Sequence, residues 1–194
     1  MICKRTAIPV DCEFETREAE DKKYIDAYFS VFNSEYPLFE NAIEVVDEGA
    51  FNLERDTDVR ALTNHDTTLV LGRTTAGTLE LRTDEKGLWG RIEINENDQD
   101  AVNLYERVKR RDVSQCSFGF DILAEEIEHR DDGVTVWHLK SVLLYEVSIC
   151  TFPAYQSTEA VVSRQAQLEE IEERKAETWR AEMLAKLKGE KHGT

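Results

Sequence analysis

The chain has 194 residues, 41% of them apolar, enough for one cored domain and an appendage. Its formal charge is −16; residues 1–158 carry 32 acids against 17 bases and residues 159–194 carry 8 against 7, so the acidity belongs to the body. A surface of that sign repels phosphate backbones, which argues against a nucleic-acid partner, and no apolar run reaches the length that spans a bilayer, which argues against a membrane one.

The opening "MICKRTAIPVDCEFE" breaks into acidic residues before a signal-like apolar stretch develops, so a cytosolic protein is expected. Cys3, Cys12, Cys116 and Cys150 form no CxxC pair and read as reduced thiols, signalling neither a zinc site nor a disulfide framework. Alternating β-branched and aromatic segments then predict strands at "KYIDAYFSVFN" (23–33), "DVRALT" (58–63) and "TLVLGRT" (68–74). A hairpin follows at 77–95, turning at "DEKG". "VDEGAFNLER" (46–55) reads as a short helix. "NDQDAVNLYERVKRRD" (97–112) reads as a longer one, with Asn97 as N-cap and acids before bases. Two long strands, 113–128 and 134–152, close the body, and "PAYQST" (153–158) stops the second. Beyond it Leu168, Ile171, Lys175, Trp179, Met183 and Leu187 follow helical spacing, predicting an amphipathic helix that packs on the body or pairs with a second copy. The division is therefore a body at 1–158 and a helical tail at 159–194.

"SQCSFGFDI" (114–122) offers three nucleophiles within four positions. In a strand Ser114, Cys116, Phe118, Phe120 and Ile122 share one face, and its aromatics make it the core face. Cys116 is then a packing residue, and Ser114 has no activator. Ser117 points the other way beside Gly119, whose missing side chain leaves room for another backbone or a bound chain. On the strand alone the simpler reading of Ser117 is an outward polar residue.

A serine nucleophile needs a base, usually a histidine oriented by a third group. His192 lies in the terminal "GEKHGT" and His129 in the charged turn "EHRDDG"; His138 alternates with valines within a strand. His65, in "LTNHDTTLVLG", sits in a polar break between two strands, where Asn64 and Asp66 also suit ordinary turn chemistry. Glu146 stands out in "SVLLYEVSICTF", a carboxylate amid apolar and small hydroxyl-bearing residues. Buried there it requires a partner: an imidazole that serves Ser117, or Arg73 or Arg91 for purely structural reasons.

Taken in order, "LTNHDTTLVLGR", "SQCSFGFDI" and "LLYEVSICTFPAY" resemble the prohead maturation proteases of tailed bacteriophages, relatives of the herpesvirus capsid assembly proteases, over roughly residues 20–160. The resemblance implies an α+β fold, a compact β-barrel ringed by helices, to which the C-terminal amphipathic helix read from spacing is appended. It implies a serine endopeptidase in the host cytoplasm, inside the assembling procapsid, that cleaves scaffold or the scaffolding segment of the major capsid protein and commonly itself. It implies His65 as base and Ser117 as nucleophile, with Glu146 where an acidic third member is expected. The herpesvirus relatives use a second histidine there, so His138 and Asp66 stand as rivals. Neither metal nor organic cofactor is implied.

Two other readings fit parts of the chain. One is a non-catalytic capsid-assembly scaffold module whose C-terminal helix binds shell protein. The other is a hydrolase of small esters; the lack of a G-x-S-x-G elbow and the strand setting of Ser117 count against it.

Overall fold

The computed structural model describes residues 5–6, 14–19, 22–152 and 159–189. Its elements are β1 (Arg5–Thr6), β2 (Glu15–Ala19), β3 (Lys22–Val31), β4 (Glu35–Phe39), β5 (Ala42–Val46), β6 (Arg60–Thr63) and β7 (Asp66–Arg73). They continue with β8 (Leu79–Thr83), β9 (Gly87–Glu93), α1 (Gln99–Lys109), β10 (Gln115–His129), β11 (Thr135–Cys150) and α2 (Glu159–Gly189). The strands read from alternation are all present. The β4–β5 hairpin, turning at Asn41 with φ +59, is an addition.

One sheet runs β1–β10–β11–β5–β4, with β6 also on β11 and β7 on β6; the other runs β2–β3–β9–β8. Among the described residues neither closes, which corrects the expectation of a barrel ringed by helices. β10 occupies one edge of β11, while β5 and β6 share the other end to end, at 135–139 and 146–149. The strands of the second sheet pair only with each other, so no ladder joins the two into a ring. They meet through side chains instead: Ile25, Ala27 and Phe29 of β3 and Ile92 of β9 share one buried cluster with Cys116, Phe118 and Phe120 of β10 and Val147 and Ile149 of β11. The α-helices among the described residues number two, α1 and α2.

Residues 46–55 are not helical. Gly49 enters the left-handed region at φ +83 and Phe51 bridges to Val142. Its ring packs edge-on against Phe118, 5.3 Å between centroids, and Phe118 stacks on Phe120 at 4.8 Å. The aromatic stack claims a residue that a solvent-facing helix would have carried away. In α1 the cap is Asp98, not Asn97: its carboxylate accepts from the backbone N–H of Asp100 and Ala101.

Two irregularities on β11, at Lys140 and at Tyr145, explain why alternation cannot be followed along the whole of it, and the second one sets the site. Phe120 pairs with Leu144 but Gly119 pairs with Glu146, so Tyr145 is an extra residue. Such a bulge inverts the face each later residue presents. Val142 and Leu144 point into the core before it, Val147 and Ile149 after it, and Glu146 is turned to the opposite side. The Tyr145 hydroxyl anchors the bulge by donating to Asp121 at 2.6 Å.

α2 meets the body near its start. Arg164, fully buried, pairs with Glu44 at 3.0 Å and Glu125 at 2.7 Å, its guanidinium 5.0 Å from the Trp137 ring centroid. Leu168 packs on Leu38, Ala42 and Trp137. Further along the predicted stripe Trp179 and Met183 are exposed. The segment 153–158, Cys3, Cys12 and His192 lie outside the described residues.

Candidate active site

Three neighbouring strands each bring one group to the same face. β11 is central and carries Glu146; β10, antiparallel on one side, carries Ser117; β6, parallel on the other, leads into the turn that carries His65. Ser117 and Ser148 are direct cross-strand partners, as are Gly119 and Glu146.

His65 sits in a two-residue hairpin loop, since Thr63 pairs with Asp66. Asn64 and His65 both have positive φ, 51° and 59°, the signature of a turn whose twist matches its strands. A non-glycine residue there costs on the order of 1 kcal/mol, so the surroundings must hold it. Asn64 N–H donates to the Ile149 carbonyl at 3.0 Å, Thr151 N–H donates to the Asn64 side chain at 2.8 Å, and His65 N–H donates to the Ser148 hydroxyl at 3.2 Å. These tie the turn back onto the end of β11.

The imidazole meets the carboxylate: His65 Nδ1 lies 2.6 Å from Glu146 Oε1. A carboxylate accepts, so Nδ1 carries the proton and Nε2 presents its lone pair. The other oxygen, Oε2, accepts from the Ser148 hydroxyl at 2.6 Å. Ser148 thus bonds both the acid and the backbone of the histidine. Sequence reading did not find it; the one available signal was its place two residues beyond Glu146, on the same strand face. The arginines weighed as structural partners for Glu146 are engaged elsewhere, Arg73 with Asp58 and Arg91 with Asp26.

Gly119 keeps its lack of a side chain for a different reason from the one expected. A Cβ built there falls on Glu146 Oε1, so the space is filled by the chain's own carboxylate and not by a bound partner. Ser117 shares that face as expected, but the face is not open: Ser117 is fully buried, as is Ser148. Cys116 packs in the core as read, while Ser114 is exposed and Val113 takes the buried position beside it.

The rival third members are not at this site. His138 bonds Asp47 at 3.0 Å and Glu128 at 3.2 Å, eight residues up β11 and so about 25 Å along an extended strand. Asp66 is turned to Thr68, whose N–H and hydroxyl it accepts at 2.8 and 2.6 Å. Those bonds hold its carboxyl below the usual carboxylate range. Another neighbour of the imidazole is Cys150, with Sγ 3.7 Å from Nε2.

The caudovirus prohead serine protease family matches residues 11–174. Among solved structures, the bacteriophage T4 capsid assembly protease, gp21, aligns with 75% of this chain and 97% of its own at 10% identity, with a TM-score of 0.43. No curated protein matches. With the family's pattern taking in β2 to β11 and running into α2, the chain belongs to the caudovirus prohead serine proteases.

Proposed function

We propose that the protein is a serine endopeptidase in which Ser117 is the nucleophile, His65 the general base and Glu146 the acid that orients it. The protease domain is residues 1–158, with 159–194 an appended helix. The observation that carries the reading is the 2.6 Å contact of His65 Nδ1 with Glu146 on the face where Ser117 lies opposite Ser148. With Nδ1–H committed to the carboxylate, Nε2 accepts the Ser117 proton as Oγ attacks a peptide carbonyl. Glu146 stabilises the imidazolium, which then protonates the leaving amine; water releases the acyl group by the same route reversed. Ser148 keeps the carboxylate in register throughout. No step draws on a metal or an organic cofactor.

The substrates are the major capsid protein, the scaffold, or both, inside the assembling procapsid, together with the protease itself. The exposed end of α2, with Trp179 and Met183, suits self-association or recruitment into the shell. Co-expression with the capsid and scaffold proteins of the same phage tests this. The wild-type chain is expected to shorten a shell protein, and Ser117→Ala to leave every component intact. Equal outcomes from both would favour a non-catalytic assembly module.

A further inference from the structure

α2 is anchored at one end. Arg164 is buried and Leu168 packs on the body, whereas every described side chain from Glu172 to Met183 is exposed. The helix runs on to Gly189, so residues 172–189 extend over about 27 Å beyond the anchor. A helix of that length without a packed face is marginal in water. Ile171, Trp179 and Met183 recur at helical spacing on this segment, and the first two line a shallow groove with Arg174, Lys175 and Thr178. The charges are sorted along the same helix. Residues 169–173 carry four glutamates and no base, while residues 174–188 carry five bases against two acids. Run head to tail against a copy of itself, the helix is complementary; run parallel, it sets glutamate against glutamate.

We propose that α2 is a dimerisation element that pairs antiparallel with the α2 of a second copy, with Trp179 against its counterpart at the two-fold axis. That register brings Met183 to the level of Ala176, Glu172 to that of Lys186 and Lys175 to that of Glu182, each pair occurring twice by symmetry. The overlap runs from 169 to 189, so each helix ends where its partner's attachment to the body begins. Whole-molecule charge favours the same orientation. Residues 1–158 carry nearly all of the −16, and two such bodies repel. In the antiparallel pair the buried Arg164 anchors lie about 45 Å apart along the axis, several times the screening length of about 8 Å at physiological ionic strength. Parallel pairing would set the two acidic bodies side by side. Because the sorted charge belongs to this helix itself, it points to a second copy and not to a shell protein as the occupant. The pairing rests on no step of the protease chemistry.

The test is the mass of the full chain carrying Ser117→Ala, followed by sedimentation equilibrium through a dilution series. Twice the 22.3 kDa of one chain is expected, falling towards a single chain on dilution. Adding Trp179→Ala, at an exposed position, is expected to raise the dissociation constant about 10-fold or more. Glu172→Lys and Lys186→Glu are each expected to raise it by about 10-fold at low salt, since each sets like charges together twice. Both changes in one chain restore opposite charges in an antiparallel pair, so the constant returns close to its starting value; in a parallel pair they would not. A chain that stays monomeric at every concentration overturns the pairing, whether or not it then binds a shell protein. A dimer that keeps its affinity in Trp179→Ala overturns α2 as the interface. Single reversals that weaken the dimer and are not repaired by their combination overturn the antiparallel register. Since the chain under test carries Ser117→Ala, the result stands apart from whether the wild-type chain cleaves.

Discussion

Glu146 is held from three sides: His65 on one oxygen, Ser148 on the other, and the bare Cα of Gly119 beneath. Replacing it with glutamine keeps the shape but removes the negative charge and lets an amide N–H face the ring, which favours the wrong tautomer. The cleavage rate of Glu146→Gln is expected to fall by roughly 10³–10⁴-fold with the fold intact by circular dichroism. Gly119→Ala is a subtler test of the same support. Its methyl collides with the flexible end of Glu146 and not with backbone, so the carboxylate yields before the fold does. We expect kcat to drop by about 10²-fold with little change in melting temperature. A large loss of stability with kcat preserved in the folded fraction would contradict this. At this scale the sequence was informative where a residue clashed with its surroundings, as Glu146 does amid apolar neighbours. Ser148 clashes with nothing, and its importance comes only from the register that sets it between acid and histidine.

Among the elements, β11 shows why pattern reading stops short. The extra residues Lys140 and Tyr145 each invert the strand's faces, so a periodicity of two holds between them and beyond them but not across either. Without the inversion at Tyr145, Glu146 would point into the core. The α2 attachment was legible only as a helical stripe, because the Arg164–Glu44 pair spans 120 residues of sequence. Arg164→Ala leaves Glu44 buried without its cation; about 3–5 kcal/mol is the usual cost, to be read as a lower urea midpoint. An unchanged midpoint would mean that α2 does not depend on this anchor. Elsewhere on β11, His138 titrates above the usual histidine range. Burial pushes it down, but hydrogen bonds to Asp47 and Glu128 outweigh burial, and Lys140 opposes them only weakly. A raised folded pKa gives stability that is complete below the unfolded value of about 6.5 and fades as pH rises through the folded value. His138→Gln should therefore lower the melting temperature most in mildly acid buffer and least in alkaline buffer, with cleavage retained. Loss of cleavage in that variant would return His138 to the list of third members.

For the molecule as a whole, the two sheets divide the work. The second sheet supplies one wall of the core, and the larger sheet brings Glu146 of β11, Ser117 of β10 and His65, in the turn after β6, to one face. Individual strands could be read from the sequence because alternation is local. Whether their ladders close could not, because closure depends on which strand occupies the second edge of β11, and β5 and β6 share it. The net charge of −16 is a property of the whole surface; it predicts no mobility shift of duplex DNA even at low salt, and a stable complex would contradict it. The central claim concerns one oxygen atom, and covalent trapping addresses it most directly. Treating the chain with a peptidyl phosphonate and locating the adduct by mass spectrometry is expected to place it on Ser117 in the wild-type protein and nowhere in His65→Ala. An adduct on Cys150, or a folded wild-type chain that stays unlabelled, would contradict the account.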